Sequence, residues 1–406
     1  MLEFVVRAAR CVSDDIYVVV GHQAETVQAA VEGVHFIRQE QQLGTGHAVM
    51  AARALLQNVG DLLILPGDVP LLQSETLRAL ADFHRAGSFG GSVVTATVDD
   101  PQGYGRIIRR SEQEIESIVE DRDGEAEVLK IREINSGIYI FESSILFDAL
   151  ERTRTDNAQQ EYYLTDVVRM FSREGHSVGA FIVEDPVEVS GINSRKQLAL
   201  LDRELRRRKC DSLMAEGVSI LDPETARIDA DVQIGPDSVI YPSVAIEGTS
   251  MLGSDVTIRS FCRITDSKVG DGSTILDGCI MDMSEVRSDV RIGPYAHLRM
   301  GTLLESRVKV GNFVEIKKSK LGEGTKSMHL TYLGDADIGK NVNVGAGTIT
   351  CNYDGVNKHK TTIGDDVFIG SNSSLVAPVS IENNSYVGAG STITDDVPKD
   401  SLAIGR

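Results

Sequence analysis

The chain has 406 residues, is 41% hydrophobic and 25% charged, and carries a formal net charge of −19. That length holds two or three cores, and that acidity excludes non-specific nucleic-acid binding and docking to anionic membranes. No apolar run approaches the roughly 20 residues of a membrane-inserted helix. The five cysteines (Cys11, Cys210, Cys262, Cys279, Cys351) form no CxxC pair, so a reducing, cytoplasmic setting is expected.

Residues 1–193 read as an α/β domain. The opening MLEFVVRAARCVSDD alternates charged and apolar residues like an amphipathic helix and has no signal-peptide core. Strands are expected at 16–20, 61–68, 91–98 and 136–141, with helices at 47–57 and 74–87, and the alternation predicts a mainly parallel sheet. Three loops stand out. QEQQLGTGH (39–47), before a helix, offers free backbone N–H groups for a base edge or an anion, or makes an ordinary turn. LILPGDVPL (63–71) ends an apolar strand at Asp68, either a Mg²⁺ ligand at the carboxyl edge of the sheet or a turn cap before Pro70. GYGRI (103–107) and EINSG (133–137) are polar strand ends able to hold a sugar.

Residues 194–216 read as a helical linker with Ser194 as N-cap and Leu198, Leu201 and Leu205 on one face. Its basic run Arg206–Lys209 reads as a solvated face more readily than a phosphate site. From Gly217 to Arg406 the period changes to six. Ile228, Ile234, Ile240, Ile246, Leu252, Ile258 and Ile264 are six apart, as are Ile363, Ile369, Leu375, Ile381, Val387 and Ile393. Six is the period of a triangular coil whose flat sides each bury one aliphatic residue, a parallel β-helix of hexapeptide repeats. Glycine is expected at the corners, where φ is positive. The register slips between 265 and 362, so insertions there should project as loops and carry the chemistry. This stretch holds His329, Arg299, Lys317 and Lys358. N-acetylation needs a general base and no covalent nucleophile, and an imidazole suits that role. The bland alternative is a structural histidine in a solvated loop.

The order QLGTGHA, GDVPL, GYGRI, EINSGIY, EYYLTD, EVSGIN, a helix, hexads, GNFVEIKK, HLTYLGDA, NVGAGTITCNYDG and IGDDVFIGS resembles, over essentially the whole chain, the bacterial bifunctional N-acetylglucosamine-1-phosphate uridyltransferase / glucosamine-1-phosphate N-acetyltransferase family. The resemblance implies a Rossmann-like nucleotidyltransferase domain followed by a left-handed parallel β-helix. It implies acetylation of glucosamine 1-phosphate from acetyl-CoA, then uridylyl transfer from UTP to give UDP-N-acetylglucosamine, a cell-envelope precursor. It makes His329 the acetyl-transfer base and Arg299, Lys317, Tyr332, Asn343 and Lys358 the sugar-phosphate ligands. Ala346, Asn352, Tyr353, Ser371, Ala389 and Arg406 become acetyl-CoA contacts. Gln39, Gly44 and Thr45 hold uracil, Gly105, Glu120 and Asn135 hold the sugar, and Asp68 and Asn193 bind Mg²⁺. A homotrimer is implied.

The family's opening strand and LAAGxGTRM-type phosphate loop have no match in this chain, which starts at the helix that follows them. Little uridyltransferase activity is therefore expected, together with unpaired strand edges and a less stable first domain. The family's basic tail is likewise unmatched after Arg406, with weaker acetyl-CoA binding expected. Two other readings compete: a non-catalytic trimeric β-helix scaffold, and a nucleotidyltransferase for other sugars. The His329 cluster weighs against the first, and EINSG and EYYLTD against the second.

Overall fold

The computed structural model describes residues 1–405. The chain divides into two compact units, Met1–Leu201 and Asp202–Arg406.

The first unit contains eight strands: β1 (Tyr17–Val20), β2 (His35–Arg38), β3 (Asp61–Ile64), β4 (Gly91–Thr97), β5 (Arg106–Arg109), β6 (Ile115–Val119), β7 (Glu133–Glu142) and β8 (Val178–Ile182). Six of them form one sheet in the order β6-β5-β7-β4-β8, with β3 also on β7. The expected mainly parallel sheet is not found. β7 runs antiparallel to β3, β4 and β5, and only β4 and β8 run parallel. The reason is β7 itself. Its ten residues are long enough to pair with β3 at one end and β5 at the other, a span the alternation of short apolar runs did not reveal. Burial on both faces fixes the central strand. Val93 joins the cluster with Phe141, Phe147 and Phe171, while Val94 and Ala96 join Leu77, Leu80 and Ile138 on the other side.

β1 and β2 pair in parallel as a separate two-stranded sheet. Among the described residues β1 pairs only with β2 and β3 only with β7, so the edges they turn to each other are unpaired. A cavity of about 1260 Å³ lies there, lined by Val18, Val20, Leu62 and Ile64 and by Val5 and Val6 of the helix Leu2–Ala9. It extends to Gly105, Glu120 and Asn135.

The helix Arg195–Ala215 follows. Ser194 caps it: its Oγ accepts from Gln197 N at 3.2 Å, and Gln197 Oε1 accepts from Asn193 N at 2.9 Å, a reciprocal cap. Leu201 is buried, but Leu198 is exposed, contrary to the expected apolar stripe. The basic run is neutralised within its own helix. Arg206 pairs with Asp202, Arg207 with Glu204 and Asp211, and Arg208 with Glu204.

Beyond Gly217 the chain winds into a left-handed parallel β-helix with three flat faces of eleven, ten and nine strands. We call them the front face (containing Lys326–His329), the side face (Tyr332–Gly334) and the back face (Ala336–Ile338). The period-six aliphatics form continuous buried columns: Ile228 lies on Ile246 and Ile246 on Ile264, all fully buried. The slip in register has two causes, and only one of them, an insertion, was expected. From Leu252 onward several coils are one residue shorter, so that Leu252 lies on Val269 and Ile258 on Ile275. Among the described residues no loop projects from these shortened coils. One long insertion exists, between Cys351 and Thr361, and the column closes again across it where Ile338 pairs with Ile363. Glycine holds only some of the corners. Asp237, Asp255 and Asn341 also adopt positive φ, and so do the bulky Phe261, Tyr295, Phe313 and Leu330.

Candidate functional site

His329 does not lie in a projecting loop. It ends a front-face strand, Lys326–His329, beside the corner at Leu330. Its Nδ1 is 2.8 Å from Asn312 Oδ1, on the preceding coil. A carbonyl oxygen can only accept, so Nδ1 carries the hydrogen, and in the neutral ring Nε2 then has the lone pair. The histidine is exposed on the coil surface with that lone pair available. Asn312 escaped the sequence reading, because an asparagine 17 positions away shows no local signal.

Below His329 the same place on successive coils is occupied by Ala346, Ser371 and Ala389. The backbone ladder establishes this: Gly347 N donates to His329 O, Asn372 N to Ala346 O at 2.7 Å, and Gly390 N to Ser371 O at 2.8 Å. Three small side chains under an imidazole make a straight ledge along the coil axis. Arg406 lies outside the described residues.

The cations gather on the side face. Lys317 pairs in register with Gly334, and Arg299 N donates to Ile316 O one coil earlier. Arg299 is itself held by Glu315 at 2.7 Å. Lys358 comes beside Lys317 and lowers its pKa, with Arg299 adding to the effect and Asp335 opposing it. Like charges packed together create a demand for an anion. Gly334 makes room at the centre: a Cβ there would meet Tyr332 Oη at 2.3 Å and Asn352 Nδ2 at 2.8 Å. Asn352 in turn donates to Asp335 Oδ2 at 2.5 Å. Tyr332, Asn352, Lys317, Lys358 and Arg299 are therefore neighbours. Asn343 is not among them, since it lies on the front face under Lys326. Gly334 is a second residue the sequence did not flag.

In the first unit, Gly44 has φ +107, and a Cβ would strike Tyr162 O at 2.7 Å. The loop 39–47 is tied to residues 161–164 by this contact. Gly46 N donates to Tyr162 O at 2.8 Å and Leu164 N to Thr45 Oγ1 at 3.1 Å. Gln39 Nε2 lies 3.0 Å from His47 Nδ1 and 3.4 Å from Gly44 O, so Gln39, Gly44 and Thr45 are one group. Gly105, Glu120 and Asn135 are another. Asn135 N donates to Gly105 O at 2.8 Å, and a Cβ on Gly105 would sit 3.6 Å from Glu120 Oε2. Burial raises the Glu120 pKa, Thr165 opposes this by hydrogen bonding, and Asp123, Asp166 and Asp121 add to it. Tyr139, which accepts from Asn135 Nδ2 at 2.6 Å, is pushed up by its own burial. Tyr139 and Thr165 were missed in the sequence.

The segment that leads into Asn193 is brought against Asp68. Ile192 N donates to Asp68 O at 3.2 Å, and a Cβ on Gly191 would lie 3.3 Å from Asp68 Oδ2. Among the described residues no group of three or more His, Cys, Asp or Glu could hold a metal. No described helix is long and apolar enough to cross a membrane.

An α/β unit with a strand-edge carboxylate, joined to a coil bearing a histidine and a cation cluster, defines a two-domain nucleotidyl and acyl transferase. Residues 10–187 match the Nucleotidyl transferase family, and residues 360–395 the Bacterial transferase hexapeptide family. Proteins named Bifunctional protein GlmU align with the chain almost end to end. That of Koribacter versatilis is 46% identical over 100% of this chain and 88% of its own length. That of Pelobacter propionicus is 48% identical over 100% and 89%, and that of Geotalea uraniireducens 50% over 97% and 87%. A solved UDP-glucose pyrophosphorylase complexed with UDP-glucose shares 19% identity over 45% of this chain and 77% of its own, at a TM-score of 0.37. The chain belongs to the GlmU family. It is a bifunctional enzyme, with acetyltransferase and uridyltransferase activities that produce UDP-N-acetylglucosamine, in place of the little uridyltransferase activity the sequence led us to expect.

Proposed function

We propose that His329 is the base of the acetyl transfer and that the side-face cations hold the phosphate of glucosamine 1-phosphate. The observation that carries this reading is the His329–Asn312 contact at the head of the Ala346–Ser371–Ala389 ledge. The amine attacks the thioester carbonyl of acetyl-CoA, and Nε2 of His329 takes the proton the amine loses. The new C–N bond replaces the C–S bond, and the departing thiolate takes the proton that His329 has received, which restores the base. Arg299, Lys317 and Lys358 bind the phosphate, with Tyr332 and Asn343 on the sugar. Ala346, Ser371 and Ala389 form the track for the acetyl-CoA arm, and Asn352, Tyr353 and Arg406 are further acetyl-CoA contacts.

The two faces of the coil suggest the assembly. Asn343 is on the front face and Lys317 on the side face, so one copy presents the sugar-phosphate ligands in two directions. A homotrimer that sets the front face of one copy beside the side face of the next unites them.

In the first unit, Gln39, Gly44 and Thr45 bind uracil, and Gly105, Glu120 and Asn135 bind the sugar. Asp68 and Asn193 fit Mg²⁺. The Asp68 carboxylate has no partner among the described residues, and Mg²⁺ is commonly held by one or two protein ligands with phosphates and water completing its shell. Bound there, the ion would neutralise phosphate charge. The enzyme would act in the cytoplasm, where its co-substrates acetyl-CoA and UTP are made.

The full-length relatives weigh against the competing non-catalytic scaffold. Thiol release from acetyl-CoA with glucosamine 1-phosphate tests the assignment of the base, with the parent chain beside His329→Ala. Undiminished release by His329→Ala defeats it.

A further inference from the structure

The insertion between Cys351 and Thr361 is a self-tied hairpin rather than a loose loop. Tyr353 and Lys358 face each other in an isolated antiparallel bridge. Its hub is Asp354. One carboxylate oxygen accepts from Val356 N at 2.8 Å and Asn357 N at 2.6 Å, and the other lies 2.7 Å from His359 Nε2. The backbone closes the same ring: Asp354 N donates to Asn357 O and His359 N to Asn352 O. At its foot the hairpin is fixed to the coil by Asn352 on Asp335 and by Lys360 on Asp337 at 3.2 Å. The hydrogen bonds from Asn357, then His359 and Val356, hold the Asp354 carboxyl down at about 2.

This hairpin works against a force. It carries Lys358 to Lys317, and Arg299 stands one coil away with the same charge. An untied exposed segment would relax by turning Lys358 outward, because repulsion between nearby cations falls with distance. The hairpin is tied at the residue four positions before Lys358 and at the residue after it.

We propose that Asp354, acting with His359, is a positioning residue for the acetyl-transfer half: its hydrogen bonds lock the hairpin so that Lys358 stays beside Lys317 and Arg299 before the phosphate arrives. The inference rests on reading those three cations as the phosphate site. The Asp354 carboxylate spends its hydrogen bonds within the hairpin. It acts by preorganising a cation, so its loss should weaken binding of the sugar phosphate more than it slows the chemistry.

The test is a double-mutant cycle on the full chain. Thiol release is measured against glucosamine 1-phosphate at saturating acetyl-CoA for Asp354→Ala, Lys358→Ala and the pair. Asp354→Ala should raise KM for the sugar phosphate on the order of tenfold, with kcat changed less than about twofold. In the Lys358→Ala background it should add less than about twofold. Asp354→Asn keeps an acceptor for the two backbone N–H groups and His359→Gln keeps a side-chain donor, so both should fall between parent and Asp354→Ala. A full Asp354→Ala effect in the Lys358→Ala background overturns the proposal, as does a loss confined to kcat. If Lys358→Ala alone leaves KM unchanged, the phosphate site is misplaced and the proposal falls with it. Additivity of two real effects removes only the role of Asp354. Thermal melts of the variants should coincide with the parent, because the hairpin is exposed. A melt lowered by many degrees would assign Asp354 to the fold instead.

Discussion

The two halves of this chain solve the sheet-edge problem in opposite ways. In the β-helix each strand is covered by the next coil, so the three sheets run unbroken from Ser219 to Ala403. In the first unit β1 and β3 face each other across a cavity without pairing. A repeat needs only its neighbours, so its order is local and continuous. An open α/β sheet depends on every strand being in place. The same chain therefore joins a scaffold with little freedom to one whose centre is open.

The sharpest way to break the comparison is to disable each half separately. His329→Ala should lower acetyl transfer by about 10²–10⁴-fold, the usual contribution of a general base. It should leave uridylyl transfer unchanged. Asp68→Asn should do the reverse, costing uridylyl transfer on the order of a hundredfold. Coupled-assay rates for both variants in both reactions check this, and a variant that lowers both rates equally contradicts two separate sites.

Asn312→Ala should cost acetyl transfer on the order of tenfold, because it removes the acceptor that fixes the His329 tautomer. The loss should appear in kcat, and unchanged kcat would show that the ring needs no such anchor.

Hydrogen exchange reads the contrast in stability directly. Amides of β1 and β3 should exchange well before those around Ile316 and Leu333, which are fully buried in the coil. Equal protection in both halves would remove the distinction.

The smallest effect concerns Glu120. Its folded pKa lies above the ordinary carboxylate value, mainly through burial. The folded state thus holds the proton more tightly than the unfolded chain. Stability is lost as pH rises from the ordinary carboxylate range through the raised value, and the penalty persists above it. Glu120→Gln should raise the urea midpoint of the first unit at pH 7, and the gain should vanish on acidification below the ordinary carboxylate range. A gain that persists in acid would point to packing rather than charge. The proposed sugar role of Glu120 predicts a loss of uridylyl transfer in the same variant.

The β-helix was legible because burial imposes a period, and Ile228 to Ile264 repeat it without a gap. What escaped was pairing at a distance. The shorter coils after Leu252 looked like insertions, since a lost residue and an added one break a hexad alike. Asn312 and Gly334 matter through the coil stacked on them, 17 residues away in either direction. In the first unit the loop motifs were readable, and the structure brings Gln39 to Gly44 and Gly105 to Glu120 and Asn135. The antiparallel course of β7 was not, because strand direction leaves no mark in local composition.

The ledge under His329 has one more consequence. Adjacent coils are spaced by roughly 4.8 Å, so three steps from His329 to Ala389 span about 14 Å. The coil thus acts as a ruler, graduated in single turns. Deleting one turn between Ala346 and Ala389 would leave the histidine intact and shorten the track by one graduation. The length of the acyl carrier's arm, and not only its chemistry, is then something this protein measures.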